Sequence, residues 1–280
     1  MPTRSPQRTV HVRQGAKFAE FAKAIVASLG ALRVLALPAR PLTTTLCLLT
    51  LVVAAWSADA PTPYPDVKQD AAWPGKGPIR TFPYMRDNRA YFWSQRTKDQ
   101  GAVVFVGDSL TGGWKGLGAA FAKLKIANRG VGGDTSRGIL FRFQEDVVDL
   151  HPRAVVITAG ANDISAKGRN EDVIQNLGLM LDQLRKADPN VPVVLCTVPL
   201  MEVPGSPDTP GVRLDLRDRV IAFAKGKDHV AVLDLIPVLA TPDGKFDPAN
   251  YGADHVHPIA AGYAKWAAAL APVFAQLHIE

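Results

Sequence analysis

The stretch Gly101–Trp114, GAVVFVGDSLTGGW, changes character at its centre. Val103-Val104-Phe105-Val106 is a continuous apolar run, the pattern of a strand buried on both faces. It ends on Gly107-Asp108-Ser109. In isolation those three residues are a turn, because glycine opens unusual backbone angles and Asp or Ser caps a following helix. Whether they are more than a turn depends on what the rest of the chain brings beside them.

From Gly101 onward the sequence alternates. Apolar runs occupy 102–106, 154–158, 191–198 and 230–235, with a weaker one at 124–128. Between them lie helical spacings such as Ile139, Leu140, Phe143, Val147 and Val173, Leu177, Leu181, Leu184, and finally Tyr263, Trp266, Leu270, Val273. This alternation predicts a parallel sheet covered on both faces by helices. Ligands of such sheets sit beyond the carboxyl ends of the strands. Four strand ends run into polar or glycine-rich sequence: Gly107-Asp108-Ser109, NRGVGGDTS (128–136), AGANDIS (159–165) and the loop holding YGADHVHP (251–258).

The 280 residues, 47% hydrophobic, suffice for one sizeable core. The net charge of +6 is concentrated at the start: residues 1–60 carry +5 and the other 220 only +1. A basic leader is no footprint for nucleic acid, so no nucleic-acid partner is expected. Arg40 precedes an apolar run from Leu42 to Trp56, followed by the small residues Ser57, Ala58 and Ala60. That order reads as a signal peptide over 1–60, exporting the protein to the periplasm or beyond without stable membrane insertion after cleavage. The alternative is an uncleaved N-terminal anchor, although the run is short of the ~20 residues a span needs. Cys47 lies in that run, leaving Cys196 without an intramolecular disulfide partner. Residues 61–80, rich in Pro and Gly, read as an extended tether, and 84–98 as one amphipathic helix packed on the domain. Residues 101–280 form the main domain.

A serine nucleophile needs a base within hydrogen-bond reach, and the base an orienting acid. Asp254 and His257 are three residues apart, a spacing that lets the carboxylate meet Nδ1 while Nε2 faces Ser109. Acyl transfer also needs donors where negative charge develops. The N–H groups of Ser109 and Gly133 and the amide of Asn162 are candidates at the same sheet edge.

With Gly107-Asp108-Ser109-Leu110, Gly133 in NRGVGGDT, Gly160-Ala161-Asn162-Asp163 and Asp254-His255-Val256-His257, the chain resembles the SGNH (GDSL) hydrolase superfamily, named for the Ser, Gly, Asn and His of four blocks. The resemblance spans about residues 101–276, with Ala161 where many relatives carry Thr. It implies a flavodoxin-like three-layer α/β/α sandwich with a five-stranded parallel sheet. It also implies Ser109 as nucleophile, His257 as base, Asp254 as its partner, an oxyanion hole of Ser109, Gly133 and Asn162, and no cofactor or metal. The implied activity is carboxylic ester hydrolysis, best matched to short-chain acetyl esters on a small molecule or polysaccharide. Lysophospholipase or thioesterase activity, or a non-catalytic carbohydrate-binding protein of the same fold, is the alternative. Oligomeric state is not set by the sequence.

Other assignments compete. A dinucleotide fingerprint starting at Gly130 and Gly132 would need glycine at 135, where Thr135 stands. A metal-dependent phosphoesterase would need several converging imidazoles or carboxylates, and only one block offers histidines. His255 is expected to be exposed or to act behind His257. Asp108 and Asp163 are expected to hold loops, Asp134 to cap the helix near Ser136, and Trp114, Tyr263 and Trp266 to be core or pocket wall. His151, His229 and His278 read as structural or superficial.

The leader yields a direct test. The mature protein isolated from its native host is expected to begin near residues 58–61. N-terminal sequencing that recovers residues preceding Leu42 would refute cleavage.

Overall fold

The computed structural model describes residues 60–202 and 210–279. The leader, except for its last residue, and the middle of the 200–211 loop lie outside the described residues. Five strands form the sheet: β1 (Val103–Gly107), β2 (Ile126–Gly130), β3 (Ala154–Thr158), β4 (Val193–Cys196) and β5 (Val230–Leu233). All pairs are parallel and the order is β2-β1-β3-β4-β5. Every residue of β1, β3 and β4 is buried, which is why these segments read as unbroken apolar runs. The predicted 191–198 run yields a shorter strand because Pro192 and Pro199 flank its apolar centre.

Successive strand residues face opposite layers. Phe105 meets Trp114, Phe121 and Phe274, the last from the C-terminal helix α9 (Ala260–Gln276). That helix buries Tyr263, Trp266, Leu270 and Phe274 at helical spacing, and Trp114 packs on Tyr263 and Trp266, so all three aromatic residues expected in core or wall are buried. The opposite layer contains α4 (Ser136–Asp146) and α6 (Asn170–Ala187), which pack on one another. The helix α1 (Pro83–Gln95) turns Met85, Arg89 and Phe92 inward. The short helices α2 (Ser109–Gly112), α3 (Leu117–Ala120), α5 (Ala161–Ser165) and α8 (Leu235–Leu239), with α7 (Pro210–Ala224), complete the element order. Among the described residues, no helix is long and apolar enough to cross a membrane.

Two packing details position the site. Gly107 stands level with Gly130 on one side and Thr158 on the other, so the loops after β1, β2 and β3 leave the sheet together. The chain reverses direction across the sheet at β1, the switch point where open α/β sheets hold ligands. Gly130 and Gly112 also lie in close contact: a Cβ on Gly130 would sit 2.1 Å from the Gly112 nitrogen. That contact presses α2, and Ser109 with it, against the end of β2.

Residues 61–80 hold no strand and no α-helix, only a 3-10 turn at Asp70–Ala72 and several bends, and they lie on the domain. Trp73 is buried against Tyr64 and Phe141. Arg137 of α4 donates to the carbonyls of Asp70, Trp73, Pro74 and Gly77. Asn176 of α6 bonds both the N–H and the carbonyl of Lys76, at 3.0 and 2.8 Å, and Thr135 donates to the Pro78 carbonyl. The segment is a strap. Cys196, at the end of β4, is a buried free thiol whose pKa burial pushes up to about 12.

Candidate active site

Ser109 opens α2 immediately after β1. Asp108 caps that helix, accepting from the Leu110 N–H at 2.9 Å, so the loop-holding role expected of it is seen. The partner of Ser109 arrives from the other end of the domain: His257 Nε2 lies 2.8 Å from Ser109 Oγ. On the other side of the imidazole, Nδ1 lies 2.6 Å from Asp254 Oδ2. A carboxylate only accepts, so Nδ1 carries the proton and Nε2 accepts from the serine hydroxyl. Local turn chemistry builds this arrangement. Asp254 Oδ1 accepts from the N–H groups of Val256 and His257, both at 3.0 Å, winding the D-x-x-H segment into one turn. Tyr251 and Pro258 form an isolated antiparallel bridge that closes the loop, so α9 starts at Ala260 and not at Pro258.

Asp254 is half exposed. Its partial burial alone would raise its pKa, but the His257 and Val256 N–H groups and the imidazole outweigh that and lower it to about 2. Asp108 contrasts with it. Full burial pushes its carboxyl up to about 7; the Leu110 N–H opposes this, and Asp134 and Asp163 add to it.

Gly133 and Asn162, the other two residues singled out by the sequence, lie on the loop after β2 and on α5 after β3. Gly133 has φ +75, and a Cβ there would meet the Phe82 ring at 2.6 Å, so only glycine fits. Asn162, in α5, donates from Nδ2 to the Asp134 carbonyl at 3.0 Å and lies 3.3 Å from Asp108 Oδ2. Its Oδ1 accepts from Arg80 Nη1 at 3.3 Å. The nitrogen of the amide is thus held beside the residues that adjoin Ser109 and Gly133.

Asp134 does not cap α4. Thr135 does so, its hydroxyl accepting from the Gly138 N–H. Asp134 is drawn inward by Arg142, whose Nε donates to Oδ2 at 2.7 Å. The same guanidinium donates to Asp146 Oδ2 at 3.2 Å and to the Gly107 carbonyl at 3.0 Å. Arg142 is fully buried. Burial alone would lower its pKa, but Asp134 and Asp146 reverse the sign and hold it above its ordinary value. Asp163 holds the neighbouring loop, accepting from the N–H and hydroxyl of Ser136. Arg142 carried one signal in the sequence: it sits beside Phe143, three residues from Ile139, on the apolar side of its helix.

Among the described residues, no other histidine is hydrogen-bonded to Ser109. His255, at φ 56, packs its ring on Phe246. His151, His229 and His278 are exposed.

A serine, an imidazole and a carboxylate thus form one hydrogen-bonded chain at the edge of a parallel α/β sheet. Residues 105–265 match the GDSL-like lipase/acylhydrolase family, and the chain belongs to that family of ester-cleaving enzymes. It is 26% identical over 229 residues to platelet-activating factor acetylhydrolase IB subunit alpha1 of Pongo abelii, covering 79% of this chain and 87% of that protein. The Rattus norvegicus counterpart is 28% identical over 145 residues, 49% of this chain and 55% of its own length, so the match spans about half of that relative. A crystal structure of a GDSL-like lipase from Bacteroides thetaiotaomicron superposes with a TM-score of 0.57 at 25% identity, covering 66% of this chain and 97% of that one.

Two predictions follow from the charges beneath the site. Arg142→Met strands two buried carboxylates and is expected to cost ~3–5 kcal/mol in urea unfolding, with part of the loss recovered when Asp134→Asn is added. Asp108 has a folded pKa above its unfolded value of about 3.9. The native state keeps a proton that the unfolded chain loses, so this stabilisation is full below about pH 4 and fades as pH rises through about 7. Asp108→Asn should flatten that part of the stability profile, and an unchanged slope would assign it to other groups.

Proposed function

We propose that the chain is an exported carboxylic ester hydrolase in which Ser109, His257 and Asp254 act as a catalytic triad on short-chain acyl esters. The observation that carries the reading is the continuous hydrogen-bond relay from Ser109 Oγ through the imidazole to Asp254. In the first half-reaction Ser109 Oγ attacks the ester carbonyl carbon and its proton passes to His257 Nε2. The carbonyl oxygen becomes an oxyanion, received by the N–H groups of Ser109 and Gly133 and by the Asn162 amide. Collapse expels the alcohol, which takes the proton from Nε2 and leaves an acyl-serine. Water then repeats the sequence, with His257 as its base, releasing the acid and restoring Ser109. Asp254 remains ionised throughout and stabilises the imidazolium; its lowered pKa supports that role. The acetylhydrolase relatives favour an acetyl-sized acyl group. Export rests on the apolar run Leu42–Trp56 behind Arg40.

The test is a set of single substitutions on one soluble ester, with folding checked by circular dichroism. Ser109→Ala should abolish turnover and labelling by an organophosphonate. His257→Ala should be nearly as damaging, whereas His255→Ala should retain most activity. Asn162→Ala should lower kcat by roughly 10²–10³ with a much smaller change in KM. An active Ser109→Ala protein, or a dead His255→Ala beside an active His257→Ala, would overturn the triad. A series of p-nitrophenyl esters tests the acyl preference, and a maximum at long chains would reject the acetyl reading.

A further inference from the structure

The strap ends in three side chains that the family match, beginning at residue 105, does not include. Arg80 fixes the Asn162 amide, as described above, and also donates to Ser165 Oγ at 3.0 Å. Phe82 and Tyr84 are 40% and 46% exposed, yet each ring has a partner. Phe82 lies against Gly133, Tyr84 donates to the Gly132 carbonyl at 3.1 Å, and the two rings are parallel within 6° at 5.5 Å between centroids. Their distance from the chemistry is short. A Cβ built on Gly132 would sit 3.8 Å from Ser109 Cβ and 3.8 Å from Tyr84 Oη, so one glycine separates the hydroxyl of the platform from the nucleophile.

We propose that Phe82 and Tyr84 form a stacking subsite for a pyranose ring on the alcohol side of the scissile ester, making the substrate an O-acylated glycan. This rests on the reading of Ser109 as the nucleophile. A pyranose presents an apolar C–H face to an aromatic ring and keeps a rim of hydroxyls for polar partners. Here the two parallel rings keep part of their surface exposed, and Tyr84 Oη supplies a polar group at their edge. An acyl chain gains most from enclosure on all sides. Half-exposed rings would leave such a chain partly in water. From Phe82 an open groove of about 690 Å³ continues over Tyr64, lined also by Thr81, Asp66, Arg86 and Asp87. Its mixture of apolar and hydrogen-bonding side chains suits the next sugar of a chain.

Two measurements separate this proposal from the triad. In the first, Ser109→Ala protein is titrated calorimetrically with ester-free xylo-, cello- and chito-oligosaccharides. At least one series should bind, and Phe82→Leu, which keeps the packing on Gly133 but loses the flat face, should weaken it about tenfold, as should Tyr84→Ala. In the second, the ratio of kcat/KM on the acetylated oligosaccharide to that on p-nitrophenyl acetate should fall about tenfold in Phe82→Leu, chiefly through KM. Absence of binding by every series, or equal binding by the variants, overturns the subsite. So does a Phe82→Leu effect that appears only with lengthening acyl chains, which would place the acyl group on the rings. If the sugars bind but the wild-type protein neither cleaves esters nor is labelled at Ser109, the triad fails while the subsite stands.

Discussion

The guanidinium of Arg142, sealed from water, touches both loops on which the site depends. One donor reaches the carbonyl of Gly107, the residue before Asp108 and Ser109; another reaches the side chain of Asp134, the residue after Gly133. Asp134 in turn offers its carbonyl to Asn162. A charged group is costly to bury, and it is tolerated here because two carboxylates and a carbonyl satisfy it. The rigid planar fork of arginine suits this task, since several donors hold a fixed geometry that a flexible ammonium would not. The result is a set of loops whose spacing is determined from below, in the core.

Electrostatics divide the carboxylates near Ser109 by environment. Asp254, half in water and bonded by two N–H groups, is held as an anion over almost any pH the protein meets. Asp108, a few residues of structure away, is fully buried and reluctant to ionise. The same side chain therefore orients an imidazole in one place and caps a helix in the other. Exchange of those roles would leave the imidazole facing a neutral group.

Much of this was legible in the sequence. β1 and β3 were readable because strands buried on both faces leave no polar residue to break the run, and the level ends of β1, β2 and β3 explain why three of the polar blocks meet, the fourth joining them through the His257–Ser109 hydrogen bond. The D-x-x-H turn was readable because an Asp side chain bonds backbone two and three residues on. Two features were not. Asp134 and Thr135 are both capping residue types, and the pull of the buried Arg142, two turns along α4, draws Asp134 away and leaves the cap to Thr135. The strap shows no periodicity because its backbone, rather than its side chains, makes the decisive contacts with Arg137 and Asn176. Proline and glycine mark it as non-helical, which is true of a tether and of a strap alike.

The sequence distance between partners gives the strap a kinetic meaning. Ser109 and His257 are 148 residues apart, and Lys76 and Asn176 are 100 apart. Contacts this remote follow the local ones, because the entropy of closing long loops must be met before they form. Ser109 therefore meets the His257 imidazole only when the loop holding Asp254 and His257 has been brought back to the end of β1, and the Asn162 amide meets Arg80 only when the strap has been laid down. A chain still being synthesised, or held unfolded, carries Ser109 without the His257 imidazole beside it, so the hydrogen bond between them belongs to the folded molecule alone.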